Sequence, residues 1–183
     1  MDALTSLDRA VVWRFVEPPA TELERFSRRM AADRSTTRST PPVRPFLVVT
    51  PAGMRDADTL RRALVVRGAT IVDRRPIADW PRFASVTSHR RPERDDLLRA
   101  YAEEQVWRGL FPRAAAELWL LDGERSFERL HAWKPALHQV TRGVQVTVQS
   151  LYDSYVTQLS AFHAPEPREL DREWRALNAL LPV

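Results

Sequence analysis

Short apolar segments alternate with segments of helical spacing through most of the chain. Residues 46–50, 70–72 and 118–121 are short and largely apolar, which predicts three buried strands. Between the first two, the apolar spacing predicts a helix over residues 58–67, and Gly68 follows as its C-cap. The pattern therefore opens as a strand–helix–strand unit.

Other segments give one more helix and two less regular stretches. Apolar residues recur at helical spacing over residues 93–107, which predicts a helix. Residues 76–92 contain three prolines and predict an irregular excursion. Residues 144–148 alternate between valine and polar residues, which fits a strand of period two or the start of a helix.

The N-terminal part is predicted to form two short helices within residues 1–33, separated by Pro18-Pro19. Apolar residues recur at helical spacing in both halves: Leu4, Leu7, Val11 and Val12, then Leu23, Phe26 and Met30. Residues 34–45 are rich in Ser, Thr, Arg and Pro, which predicts a linker before a main domain at residues 46–183. The helical extension carries too much apolar surface to leave in water, so we expect it to pack on the main domain or on a second subunit of a homo-oligomer.

The composition excludes several classes of site and protein. The 183 residues suggest one domain plus an extension, and the 44% hydrophobic content supports a packed core. The absence of cysteine excludes disulfides, thiolate chemistry and zinc sites built on cysteine. No apolar run approaches the roughly 20 residues of a membrane span, and no signal-peptide pattern opens the chain. We therefore expect a cytoplasmic protein without a membrane partner.

The positive charge is carried almost wholly by arginine. The formal net charge is +4, and Lys134 is the single lysine. Arginine suits bidentate phosphate recognition, although a genome rich in arginine codons would give the same composition. The cations are scattered among acids and form no basic tail, so nucleic-acid binding is not expected. The four histidines are dispersed along the chain, and no metal site built from protein side chains is expected.

One histidine stands at a junction that can face a cleft. His163 follows the largely apolar residues 159–162 and precedes a Pro-Glu-Pro turn, after which residues 171–173 open a helix as Asp-Arg-Glu. A lone histidine beside apolar residues is most often a packed residue. This stretch, however, resembles the signature of nucleoside diphosphate kinases, in which a phosphate-accepting histidine precedes a Ser/Pro-rich turn and a helix that opens in Glu-Arg-Glu.

The resemblance covers residues 46–181. Thr-Pro-Ala-Gly at residues 50–53 stands where the family has Lys-Pro-Asp-Gly after its first strand. Residues 126–133 resemble the helix after the third strand, and residues 134–143 contain the Lys-Pro and Arg-Gly pairs of a long family loop. Residues 151–154 resemble a helix that divergent members have before the histidine. The resemblance implies an α+β fold, a ferredoxin-like sandwich with a mostly antiparallel four-stranded sheet.

The resemblance also implies a set of site residues. His163 would accept the γ-phosphate of a nucleoside triphosphate and pass it to a diphosphate, with Glu173 orienting its ring. Mg²⁺ would come with ATP or another nucleoside triphosphate. Six further positions match phosphate or nucleotide contacts: Thr50 at the family lysine, Tyr101 at a tyrosine, Phe111 as a ring that stacks on the base, His131 and Arg142 at two arginines, and Ser160 at an asparagine.

Three functions fit these residues. The first is a divergent phosphotransferase that works through a phosphohistidine at His163. The departures from the family pattern at Thr50, His131 and Ser160 fit equally a catalytically degenerate protein that binds nucleotides or acts as a scaffold. They also fit an enzyme that reuses the fold for another reaction, with His163 as general acid or base. In each enzymatic case the partner is a nucleotide or another phosphorylated or anionic small molecule.

Overall fold

The computed structural model describes residues 11–35, 44–88, 94–111, 115–122, 126–151, 153–178 and 181. Within these ranges the chain forms six α-helices and seven β-strands, and the strands make two sheets. The α+β class predicted from the sequence is confirmed, since helices cover a four-stranded sheet in which all neighbouring strands run antiparallel. No helix among the described residues is long and apolar enough to cross a membrane.

The larger sheet contains all three strands predicted from apolar segments. Its strands are β2 (Phe46–Val49), β3 (Ile71–Ile77), β4 (Ala116–Leu121) and β7 (Phe162–His163). They lie in the order β3-β4-β2-β7, so β2 and β4 are central. Val48 of β2 pairs with His163 of β7, which places the candidate histidine beside the centre of the sheet.

The central strand β2 is buried on both faces because alternate side chains point to opposite sides of a sheet. Phe46 and Val48 enter one core, and Leu47 and Val49 enter the other. Two helices, α2 (Ala57–Val66) and α5 (Ser126–Val140), cover the face of Leu47 and Val49. Their buried residues in this core are Leu60, Leu64, Leu130 and Leu137. The helix predicted over residues 58–67 is confirmed, and Gly68 after it has φ +82°.

Helix α5 is longer than the sequence predicted. The helix expected over residues 126–133 continues to Val140 and includes Pro135. Proline removes a backbone donor and disfavours a helix interior. Leu137, however, is buried in the same core as Leu130, two turns earlier, and this packing holds the second half of the helix in place. Lys134, expected in a loop, therefore lies on a helix.

The smaller sheet packs on the core that contains Phe46 and Val48. Its strands are β1 (Val11–Arg14), β5 (Val144–Gln149) and β6 (Ser154–Leu159), in the order β1-β5-β6. Val144, Val146 and Val148 are buried in the core that also holds Phe46 and Val48. Of the two alternatives for residues 144–148, the strand of period two is confirmed.

Two helices expected from local patterns are wrong. Val11 and Val12 lie in β1, parallel to β5, and Val12 is 53% exposed on the outer face. Helical spacing was misleading here because β-branched valines suit a strand once a neighbouring edge is available. The helix expected over residues 151–154 is wrong for its described part, since Ser154 begins β6 and Ser150 N donates to Asp153 O at 2.8 Å just before it. Leu4 and Leu7 lie outside the described residues.

Helices α1 (Ala20–Ser35), α3 (Trp80–Ser88) and α4 (Arg94–Leu110) complete this side. The helices predicted around Phe26 and over residues 93–107 are confirmed, and Phe26 packs on Tyr101 of α4. The irregular excursion predicted over residues 76–92 is wrong for its described part, since β3 runs to Ile77 and α3 follows. Residues 11–35 thus pack on the same chain, as expected, while the division into extension, linker and main domain stays a prediction.

Six charged side chains join α1, α3 and α4, and we call this set the ion network: Arg29, Asp33, Asp79, Arg82, Glu104 and Arg108. Arg29 donates to Glu104, and Arg82 Nε donates to Asp33 Oδ2 at 2.7 Å. Arg108 donates to Asp79 Oδ1 at 2.9 Å and to Glu104 Oε1 at 2.8 Å. Three arginines are thereby matched to three carboxylates across three helices.

Candidate functional site

The turn after β2 is fastened to the segment that leads into β7. Thr50 N donates to Ala161 O at 3.0 Å, and Thr50 Oγ1 donates to Ser160 O at 2.7 Å. Gly53 approaches so closely that a Cβ there would lie 1.8 Å from Ala161 O. A backbone oxygen cannot rotate away as a flexible side chain could, so the position requires glycine. These contacts fix the backbone just before His163.

The helix α6 (Leu170–Asn178) brings a buried carboxylate to His163. Glu173 is 4% exposed because it shares the inward face of α6 with Ala176 and Leu177. Its Oε2 lies 2.6 Å from His163 Nε2. This is the contact that the orienting role predicted for Glu173 requires.

This contact decides which ring nitrogen of His163 is free. A carboxylate only accepts hydrogen bonds, so the neutral imidazole carries its proton on Nε2 and presents a lone pair at Nδ1. Among the residues that the structure describes, none hydrogen-bonds Nδ1. The side chain is 39% exposed. A partly exposed ring that is oriented at Nε2 and has no partner at Nδ1 among the described residues has the arrangement of a nucleophile or a general base.

His163 faces a hollow of about 200 Å³, which we call the His163 cleft. Trp80 and Phe83 of α3 form an apolar wall, and the Phe83 ring centroid lies 6.4 Å from that of the imidazole. Lys134 and His138 of α5 also line the cleft. An apolar wall with a few convergent polar groups is typical of a site for a small molecule.

The cleft continues into a second hollow of about 280 Å³. His138, Gln158 and Ser160 line both hollows, so the two share a rim. Ser160, predicted to contact phosphate, therefore does lie at the site. Thr50 also lines the cleft, but its hydroxyl is engaged with the Ser160 carbonyl.

Lys134 is held by a carboxylate from the turn after β7. Its Nζ donates to Glu166 Oε1 at 3.0 Å, and the Lys134 side chain is 21% exposed. His131 Nδ1 lies 3.4 Å from the other oxygen of Glu166. The hydrogen bond from Lys134 lowers the pKa of the Glu166 carboxyl, so Glu166 is an anion at neutral pH. His131, predicted to replace an arginine of the family, thus contacts Glu166 at the edge of the site.

His138 lies over the ring of Phe162, the residue before His163. The two ring centroids are 4.4 Å apart and the planes are inclined by 18°, which is a stacked geometry. Partial burial of the imidazole, and then the charge of Lys134, lower the pKa of His138. No role for His138 was predicted from the sequence. The spacing of four residues from Lys134 could have indicated a shared helix face, but Pro135 pointed to a loop.

Three of the predicted site residues lie elsewhere. Tyr101 packs between α1 and α4, and its hydroxyl donates to Glu22; burial and then this hydrogen bond raise the pKa of Tyr101 to about 12. Phe111 is 5% exposed and packs in the core near Trp107. Arg142 is exposed outside both hollows, and its backbone N–H donates to Asp56. The geometry does not bring these three side chains to His163.

The described residues contain no group of three or more acidic, histidine or cysteine side chains placed to hold a metal ion. Comparisons of the chain with family models, with curated proteins and with solved structures found no significant match. The resemblance to nucleoside diphosphate kinases therefore depends on the residues quoted from the sequence.

Proposed function

We propose that the protein is a divergent phosphotransferase of the nucleoside diphosphate kinase type, in which His163 carries the phosphoryl group. The observation that carries this proposal is the contact between Nε2 of His163 and the buried carboxylate of Glu173 at 2.6 Å. It leaves Nδ1 without a hydrogen-bond partner among the described residues, on a ring that lines a cleft with an apolar wall and a lysine. A packed structural histidine needs neither the buried acid nor the exposure.

The sheet also supports the proposal. The order β3-β4-β2-β7 places the first and third strands of the main domain, β2 and β4, at the centre, with helices α2 and α5 between successive strands. This strand order supports a ferredoxin-like sandwich, the fold that the sequence resemblance implies. From this strand order we propose that the α+β domain is a ferredoxin-like sandwich.

The reaction would take place in two displacements. The Nδ1 lone pair attacks the terminal phosphorus of a nucleoside triphosphate, the N–P bond forms, and the P–O bond to the diphosphate breaks with its electron pair leaving on the diphosphate. The proton on Nε2 stays with His163, and the carboxylate of Glu173 offsets the positive charge that the ring acquires. An oxygen of a second nucleoside diphosphate then attacks phosphorus, and the N–P bond breaks with its electron pair returning to Nδ1 of His163.

Neutralisation of the phosphoryl oxygens would come from few protein groups. Among the described residues that line the cleft, Lys134 is the permanent cation, and Mg²⁺ would arrive with the nucleotide as part of the substrate. We extend the proposal to a cytoplasmic location, where nucleoside triphosphates are abundant, and to a homo-oligomer. The catalytically degenerate alternative predicts the same fold without transfer of a phosphoryl group.

The experiment is transfer of label from γ-labelled ATP to the full-length protein. We expect an acid-labile, base-stable adduct on His163 that disappears in His163→Ala and is returned to an added diphosphate. Glu173→Gln should slow its formation by about a hundredfold, the usual contribution of an oriented base partner. His131→Ala is the matched control, because His131 is a second exposed imidazole at the edge of the same site. Equal labelling of wild type and His163→Ala, or no label from any nucleoside triphosphate, would overturn the proposal.

A second candidate function is acid–base chemistry by His163 on a smaller anionic substrate. The observation that favours it is the low positive charge of the cleft, where Lys134 is the permanent cation among the described lining residues. Its single lysine is also already paired with Glu166. Absence of label together with saturable binding of a small phosphorylated compound that depends on His163 would favour this candidate over phosphoryl transfer.

A further inference from the structure

Lys134 and His138 are four residues apart on α5 and line the same cleft. Residues at this spacing are neighbours on one helix face, so their polar ends converge on one part of the cleft. His138 is held there by stacking on Phe162, and Lys134 by Glu166. Lys134 and His138 thus line the same cleft as His163, whereas Arg142 lies outside this cleft.

The two side chains offer complementary contacts to an oxyanion. The lysine provides a compact charge with three donors. His138 has a lowered pKa through partial burial and then the charge of Lys134, so at neutral pH it is a neutral ring with one N–H donor. A neutral donor beside a cation can bind an anion without adding a second charge that would have to be desolvated.

Glu166 occupies the contact that a substrate anion would need. Its Oε1 receives the hydrogen bond from Lys134 Nζ at 3.0 Å, and it is an ionised carboxylate at neutral pH. A phosphate oxygen that approached Lys134 would compete with this carboxylate. Removal of the Lys134 charge should therefore weaken anion binding, whereas removal of the Glu166 charge should strengthen it.

We propose that Lys134 and His138 form the anion subsite of the His163 cleft, where they bind a phosphate group of the substrate in competition with Glu166. The inference rests on the proposed function in placing the substrate beside His163. It names recognition residues that the sequence resemblance did not supply.

The test measures binding of inorganic phosphate to the full-length protein by NMR, from the ring resonances of the histidines. Phosphate should shift the His138 and His163 resonances along one saturation curve. Lys134→Gln should raise the Kd about tenfold and His138→Phe, which keeps a ring to stack on Phe162, about threefold. Glu166→Gln should lower the Kd about two- to fivefold, the strength of a partly exposed ion pair.

The direction of the Glu166→Gln effect on the Kd shows whether Lys134 binds the anion or only holds the turn after β7. If Lys134 only holds the turn after β7, removal of either partner should weaken binding equally, and the proposal is overturned. Lys134→Arg should keep most of the affinity because it keeps the charge. Arg129→Gln removes an exposed cation from the same helix and should leave the Kd unchanged. No saturable binding of phosphate by the wild type would also overturn the subsite.

This result and the labelling of His163 can fail separately. Labelled His163 with a Kd that does not respond to Lys134 and His138 would reject the subsite and keep the phosphotransferase. Phosphate binding with the predicted signs but no label would keep the subsite and reject phosphoryl transfer.

Discussion

The ion network and the His163 cleft both bring acidic and basic side chains together, but they use them in opposite ways. In the ion network three arginines meet three carboxylates between three helices. In the cleft, Glu173 is buried and contacts Nε2 of a histidine ring that is 39% exposed and lines the hollow. The matched charges of the ion network hold α1, α3 and α4 in one relative arrangement. The single charge of Glu173 instead orients a partly exposed imidazole, which suits that ring for a reaction.

Burial of a charge alone therefore does not identify a functional residue. Glu104 and Glu173 are both almost fully buried, at 1% and 4% exposure. Glu104 accepts from two arginines and lines neither of the two hollows at the candidate site, while Glu173 accepts from a histidine that lines one of them. The two regions should respond differently to substitution, in stability for one and in chemistry for the other.

The largest effect should come from breaking the ion network at its centre. Glu104→Gln removes the carboxylate shared by Arg29 and Arg108 and leaves both guanidinium groups without that partner. We expect a loss of about 3 kcal/mol in the free energy of unfolding, at the lower end for a broken buried pair because both arginines are partly exposed. Urea unfolding followed by circular dichroism measures this loss.

The matched control for the network is the exposed pair on α1. Glu24→Gln breaks the contact with Arg28, whose side chains are 67% and 79% exposed, and should cost less than about 0.5 kcal/mol. The folded fraction of Glu104→Gln should label His163 at the wild-type rate. A slower rate at full folding would mean that the two regions are coupled.

The next effect should come from the close approach that supports the cleft. Gly53→Ala places a methyl group against the Ala161 carbonyl oxygen and should cost about 2 kcal/mol or more, since the backbone must move. Because the same backbone leads to His163, the substitution should also slow labelling of the histidine. Differential scanning calorimetry and the labelling rate measure the two effects.

Gly68→Ala separates steric contact from backbone strain. Gly68 has φ +82° with open space around the added methyl group, so alanine should cost about 1 kcal/mol through conformation alone. It should leave the labelling rate unchanged. Equal losses of labelling in both variants would show that general destabilisation, rather than displacement of residues 160–163, is responsible.

A smaller effect should show that Thr50 is a structural part of the cleft. Thr50→Val keeps the shape but removes the hydroxyl that bonds the Ser160 carbonyl, and should cost about 1 kcal/mol. We expect the Kd for phosphate to stay within error of the wild type, because the hydroxyl is already engaged. Thr50→Ser should restore the stability. A large rise in Kd with unchanged stability would instead support the phosphate contact predicted from the sequence.

The sequence predicted those parts of the fold whose pattern is set by burial on both sides. Residues 46–49 are apolar without interruption because β2 lies between two cores, and such a segment has no competing interpretation. β1 was missed because its partner strand, β5, lies more than 100 residues away, and the pairing that selects a strand over a helix is not local. α3 was hidden by the prolines around it.

The candidate site shows the same limit. His163 and Glu173 were found because they are ten residues apart in a recognisable stretch. Helix α6, which begins a short turn after His163, carries Glu173 back to the ring. Lys134 and His138 were not assigned to the cleft, because their position depends on α5 continuing past Pro135. Tyr101 and Phe111 were assigned by order along the chain, which cannot tell an aromatic ring in a core from one in a cleft.

The smallest effect should be a dependence of stability on pH that belongs to the cleft and not to the ion network. Partial burial, and then Lys134, hold the pKa of His138 below its usual 6.5 in the folded chain. The unfolded chain therefore binds this proton first as the pH falls, so the stabilising difference is present above pH 6.5 and is lost as the pH falls through the folded pKa. His138→Phe should lose less stability than the wild type between pH 7 and about 5, a range in which histidines titrate. Lys134→Gln should give an intermediate slope, because it removes the second cause of the shift.

Urea unfolding midpoints of the three proteins, measured at each pH, test this prediction. The other titrating groups are common to the three proteins, so their contribution drops out of the differences between midpoints. The ion network contains no histidine that could mimic the effect. Parallel pH profiles for wild type and His138→Phe would show that the ring is protonated as easily in the folded cleft as in the unfolded chain, and would remove the basis for treating it as a neutral donor.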